Sequence, residues 1–103
     1  MGQVDLRPHL EEPSSLPRAT TLLREMGLRA VLFHIKAAET LPEHNLGGAL
    51  AVLCLRGQCT FVAGAKRMEM SANILASLGP GVPHSVMAEQ DTLLLVVMAE
   101  PPP

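Results

Sequence analysis

Residues 41–57, LPEHNLGGALAVLCLRG, decide the fold. The stretch opens on Pro42 and His44. It becomes a long apolar run from Ala49 to Leu55 and stops at Gly57. A second stretch answers it downstream, Gly79-Pro80-Gly81-Val82-Pro83-His84, a rigid corner that delivers a second histidine. An apolar run of strand length bounded by turn residues reads as a buried strand. The pair of stretches predicts a small β-barrel that brings His44 and His84 towards one interior.

The sequence around it agrees. Residues 1–17 are polar and carry Pro8, Pro13 and Pro17, which suggests an irregular lead-in with at most one short strand; His9 falls there as an exposed loop residue. Residues 18–26, RATTLLREM, have helical spacing at Leu22, Leu23 and Met26 and strand-forming Thr20 and Thr21. The Met26-Gly27 turn favours a hairpin into residues 28–37. There Val31, Phe33 and Ile35 alternate with Leu32, His34 and Lys36, so the first set is the core face and His34 is expected outside it, exposed or structural. Residues 49–55 and 59–63 read as a hairpin about Arg56-Gly57. Short strands then follow at Met68–Met70, Ile74–Leu78, His84–Met87 and Thr92–Met98, with turns at 64–66, 71–73 and 90–91. The Glu89 and Asp91 carboxylates fall in the last turn, as solvated groups. A proline tail ends the chain and is expected to be disordered. One barrel domain over 18–99, between a lead-in of 1–17 and a tail of 100–103, accounts for the pattern.

Composition narrows the function. The chain has 103 residues, 48% of them hydrophobic and 17% charged, with a formal net charge of −2. It lacks Tyr and Trp, and no basic stripe is present, so nucleic-acid binding is disfavoured. The core must come from Leu, Val, Ile, Met and Ala, with Met68, Met70, Met87 and Met98 as gap-fillers. The N-terminal stretch has no apolar core of a signal peptide, and the run Leu93–Ala99 is too short to span a bilayer, so no membrane partner and a cytoplasmic setting are expected.

At this point the residues resemble the cupins, small double-sheet barrels with two signature motifs. The first motif, laid on residues 38–57, keeps His44 and the closing Gly57. Ala38 stands for the opening glycine, Leu46 for the second histidine and Leu50 for the glutamate. The second motif, laid on residues 73–88, keeps Gly81 and His84. Asn73 stands for the opening glycine, Gly79 for the proline and Ala88 for the asparagine. No insertion or deletion is needed, and LPEH and PGVPHSV are phrases typical of cupin loops. The resemblance covers about residues 28–99 and implies an all-β, cupin-type double-stranded β-barrel (jelly roll) with little or no helix. It does not imply an activity, because this fold hosts many chemistries.

In metal-binding cupins the motif histidines and glutamate hold one divalent ion. Here two of those positions are leucine, which has no lone pair to donate. A catalytic zinc site keeps three protein ligands, and His44 with His84 supplies two. Cys54 lies ten residues past His44, roughly 33 Å of extended strand at about 3.3 Å per residue, and His34 points outward. No cofactor is therefore expected. The alternative is an enzyme of dioxygenase or isomerase type holding one divalent ion (Fe, Zn, Ni or Mn) on His44 and His84. The plainer roles are a barrel-mouth histidine bonded to backbone or water for His44, and a ring holding the proline corner for His84. The resemblance places His44, Leu46, Leu50, Val52, Phe61, His84 and Val86 around an apolar pocket, the default site for a small-molecule ligand. Ser85 directly follows His84 and projects to the opposite face, so a Ser/His catalytic pair is disfavoured.

Two expectations concern assembly. A hairpin about Arg56-Gly57 sets Cys54 against Cys59, near enough for a disulfide, although two reduced thiols are expected in a cytoplasmic chain. The runs Ala49–Leu55 and Leu93–Met98 are apolar on both faces, which predicts a homodimer, unless Leu10 and Leu16 of the lead-in fold back over that surface.

Overall fold

The structure is a computed structural model. It describes residues 1–44 and 48–100, with residues 14 and 42–44 described through their backbone alone. Leu46, expected in the pocket, and the proline tail lie outside the described residues.

Among the described residues nine strands run in chain order: β1 (Ala19–Glu25), β2 (Leu28–Ile35), β3 (Thr40–His44), β4 (Leu50–Arg56), β5 (Gln58–Ala63), β6 (Lys66–Ser71), β7 (Leu75–Leu78), β8 (His84–Ala88) and β9 (Thr92–Ala99). They form a five-stranded sheet in the order β1-β2-β9-β4-β7 and a four-stranded sheet in the order β3-β8-β5-β6. Every pairing is antiparallel. The result is the double-sheet jelly-roll barrel that the strand spacing predicts.

The inward faces make the core. β2 contributes Val31, Phe33 and Ile35, as alternation predicts; β4 gives Leu50, Val52 and Cys54; β9 gives Leu94, Val96 and Met98. The opposite sheet supplies Cys59, Phe61, Met70, Val86 and Ala88. The β1–β2 hairpin forms across Met26-Gly27, with Glu25 opposite Leu28. Asn73 takes a left-handed φ of 74°, as a residue standing for a turn glycine should, and Ala38 takes 69° at the matching place in the first motif.

The structure corrects several expectations. The lead-in carries a short helix, α1 (Arg7–Glu11), with a proline in its first turn, and a 3₁₀ turn over Pro13–Ser15, where an irregular segment or a strand was expected. His9 is half-buried on that helix, not exposed in a loop. Residues 41–57 do not stay extended: β3 belongs to the four-stranded sheet and β4 to the five-stranded one, so the parity linking positions 44 and 50 does not hold.

The Arg56-Gly57 turn is also not a hairpin. β4 pairs with β7 and β9, while β5 pairs with β6 and β8, so the chain turns a corner between sheets here. Corners of this kind let one strand continue into the opposite sheet. Gly57 has φ +91°, and a Cβ there would run into the backbone carbonyl of Asp91 and the side chain of Thr92. Cys54 and Cys59 are consequently not a cross-strand pair. They enter the core from opposite sheets, as two fully buried free thiols.

His34 takes the structural of its two expected roles. It does lie on the outer face of β2, but it is only 4% exposed. The lead-in covers it, and its Nδ1 lies 3.4 Å from the carbonyl of Leu16. Alternation assigned the face correctly; it could not reveal that a distant segment packs against that face.

Candidate functional site

The site lies at the mouth of the barrel, where β3 and β8 meet. β3 pairs with Leu41 opposite Val86, and a register shift then sets His44 opposite His84. The extra residue of this bulge brings the two histidines into direct register. Residues opposite each other in an antiparallel pair have Cα atoms about 4.5–5.5 Å apart. The side chain of His44 lies outside what the structure describes.

His84 is 4% exposed and opens β8 immediately after the proline corner. Its Nδ1 lies 3.0 Å from the carbonyl of Val82. A carbonyl only accepts, so Nδ1 is the donor in this contact. The imidazole stacks on Phe61 of β5, with centroids 5.4 Å apart and planes 14° apart. These two contacts fix the ring, and the first ties it to the corner, as the plainer reading of His84 expects.

A cavity of about 20 Å³ opens beside this ring, room for roughly one water. Of the expected lining residues, Leu50, Phe61, His84 and Val86 border it. Val52 does not: it is wholly buried deeper in the core. Sequence reasoning missed Phe33, Leu41, Leu94 and Val96, which also line the cavity. The signal for Phe33 was its place on the core face of β2. That for Leu94 and Val96 was one alternation set of an all-apolar strand. Among the described residues His84 is the one titratable side chain in the lining. Among them, too, no group of three His, Cys, Asp or Glu side chains is placed to hold a metal ion. Cys54 and Cys59 are no substitutes. Burial raises both thiols, and Cys59 is pushed up to about 11 by burial, then by Cys54 and Glu89 nearby, which disfavours the thiolate a metal needs.

The turn carboxylates have structural work. Glu89 accepts a hydrogen bond of 2.7 Å from Thr60 Oγ1, and Asp91 Oδ1 accepts one of 2.9 Å from the backbone N–H of Ala37.

The fold recurs in solved structures. The TT1209 protein from Thermus thermophilus superposes with a TM-score of 0.81 at 22% identity, over 99% of this chain and 100% of that one. An RmlC-like cupin protein from Desulfovibrio desulfuricans matches with a TM-score of 0.71 at 26% identity, over 79% of each chain. A cupin superfamily protein from Desulfitobacterium hafniense matches with a TM-score of 0.76 at 13% identity, over 81% of this chain and 76% of that one. No protein-family profile and no curated protein matches the sequence. The chain is a small cupin-fold domain. Among the described residues no helix is long and apolar enough to cross a membrane.

Proposed function

We propose that this domain is a binding module that takes the short apolar end of a small molecule at the barrel mouth, with His84 as the polar contact and no metal required. The lining carries this reading: aliphatic and phenyl side chains surround a single imidazole whose Nδ1 is held by the Val82 carbonyl. Pockets of this composition orient a ligand through a few polar atoms while the apolar wall supplies affinity. The cavity admits a methyl or methylene group, so the rest of the ligand sits at the rim. The test is methyl NMR of the full chain with 1-butanol and 2-butanone at about 10 mM, enough to occupy a site of millimolar Kd. Shifts confined to Leu50, Leu94, Val86 and Val96 are expected, and a spectrum that does not move overturns the reading.

The enzymatic alternative has one observation in its favour. His84 donates Nδ1–H to a backbone carbonyl, as metal-ligating histidines do, and it stands opposite His44. Against it, no three His, Cys, Asp or Glu side chains gather among the described residues, which leave out the side chain of His44. Elemental analysis of untagged protein separates the two. Near-stoichiometric iron, zinc, nickel or manganese, lost in the His44→Ala/His84→Ala double variant, would sink the metal-free reading.

A further inference from the structure

A second cavity lies outside the barrel, between the lead-in and the outer face of the five-stranded sheet. It measures about 210 Å³ against about 20 Å³ at the barrel mouth, and is lined by Pro13, His34, Arg56, Asp91 and Leu93. Its floor is one row of the sheet: His34 of β2 stands opposite Leu93 of β9, and Leu93 stands opposite Arg56 of β4. Adjacent strands are about 4.8 Å apart, so His34 and Arg56 flank Leu93 across roughly 10 Å.

Arg56 reaches this row through a register shift between Cys54 and Arg56. Cys54 points into the core, and the extra residue puts Arg56 opposite the outward-facing Leu93. Bulges commonly re-aim a side chain in this way beside functional sites. Among the described residues the Arg56 guanidinium, like that of Arg67, makes no hydrogen bond or ion pair, whereas Arg7, Arg18, Arg24 and Arg29 each meet a carboxylate.

The polar groups are complementary in kind. Arg56 offers only donors. His34 directs Nδ1 at the Leu16 carbonyl, so its Nε2 is the ring nitrogen that can accept from a ligand. Asp91 holds Ala37 N–H with Oδ1, and its carboxylate has further acceptor capacity. One cation, one carboxylate and one imidazole acceptor thus surround an apolar floor. A simple anion would meet the Asp91 charge, and a simple cation would meet that of Arg56.

We infer that this cavity binds a small zwitterion of the α-amino-acid class, its carboxylate on Arg56, its ammonium group on Asp91 and His34, and its side chain over Leu93. The volume is below the ~300–1,000 Å³ typical of drug-sized sites and suits a ligand of a few heavy atoms. The site is separate from the barrel mouth and does not rest on the function proposed there.

The experiment is ¹H–¹⁵N NMR titration of the full chain with L-alanine and L-valine at about 10 mM. Propionate and ethylamine, alanine without its amino group and without its carboxylate, are the controls. Amide shifts at His34, Arg56, Asp91 and Leu93 with the amino acids alone are expected. Arg56→Gln and Asp91→Asn should each weaken binding at least tenfold; the amide introduced by Asp91→Asn keeps an oxygen that can accept from Ala37. Because wild-type shifts locate the site, the conclusion does not depend on either variant folding. No response to either amino acid overturns the proposal, as does an equal response to propionate. Shifts at Phe61, Val86 and Val96 instead would overturn it while supporting the barrel-mouth site.

Discussion

Replacing Ala38 with glycine should stabilise this protein. Ala38 sits between β2 and β3 with φ 69°, in the left-handed region. The surroundings hold it there. Lys36 N–H donates to Glu39 Oε1, Glu39 N–H donates to the Lys36 carbonyl, and Ala38 N–H donates to the Ala88 carbonyl, each at 2.9 Å. Strain of this kind persists only where neighbouring contacts over-determine it. The left-handed conformation costs an L-residue about 1–2 kcal/mol, and glycine's greater loss of chain entropy returns about 0.5–1 kcal/mol of that. Ala38 is exposed, so its methyl group contributes little packing. The net gain is about 0.5–1 kcal/mol, which for a domain of this size raises Tm by roughly 2–8 °C. Asn73→Gly, at φ 74°, should gain less, because asparagine tolerates this region better than alanine does. Urea unfolding read by circular dichroism gives both values. An Ala38→Gly variant no more stable than the wild type, or a larger gain at Asn73, would refute the strain argument.

Further outcomes follow from the same contacts. Gly57→Ala should be strongly destabilising, by more than about 2 kcal/mol, since a Cβ there meets the Asp91 carbonyl in a left-handed residue; thermal unfolding checks it. The Lys36 backbone N–H, with Arg18 adding to it, holds the Glu39 carboxyl below the ordinary range. Its contribution is complete above about pH 4.3 and is lost as the pH falls through the lower folded value, so Glu39→Gln should flatten the acid limb of stability against pH. The raised Cys59 thiol works in the opposite direction, with stability complete below about pH 8.5 and lost as the pH rises through about 11; Cys59→Ala should remove part of that alkaline loss, and a thiol reagent should find two groups only after denaturation. On the outer face of the five-stranded sheet Leu53 and Leu95 are half-buried and neighbouring Leu75 is 68% exposed; we propose a homodimer through this patch, read by light scattering as a species near twice 11.0 kDa that Leu53→Lys splits, and a wild-type species at the single-chain mass rejects it.

Much of this architecture was legible in the residues. The core face of β2 followed from the spacing of Val31, Phe33 and Ile35, and the β1–β2 hairpin from Met26-Gly27. Those signals are local, and tertiary structure left them intact. The sheet switch at Arg56-Gly57 was not legible, because a hairpin and a corner share the pattern of apolar run, turn and apolar run. Only long-range pairing, β4 with β9 and β5 with β8, tells them apart. The bulge that aims Arg56 was hidden for the same reason, and with it the outer cavity. The burial of His34 depends on where the lead-in packs, which alternation within β2 cannot encode.

Three of the four motif residues that this chain keeps hold its backbone in place. Gly57 allows the sheet-switching corner to pass the Asp91 carbonyl. Gly81 takes a left-handed φ of 72° in the turn before β8, and His84 ties that turn to β8 through Val82. Each of them shapes the backbone. The position where the motif has a ligating glutamate carries Leu50, which packs into the core at 6% exposure. A carboxylate at that point would need a partner to offset its desolvation, whereas a leucine stabilises the barrel by burial alone. The substitution therefore exchanges coordination capacity for packing and leaves the framework unchanged. On this argument Leu50→Glu alone should destabilise the domain, and added divalent zinc should recover part of the loss only if His44 and His84 both point at the new carboxylate. Thermal unfolding with and without zinc reads this directly, and a zinc-dependent rise in Tm that vanishes in His84→Ala would show that the framework can still hold a metal once the missing ligand is restored.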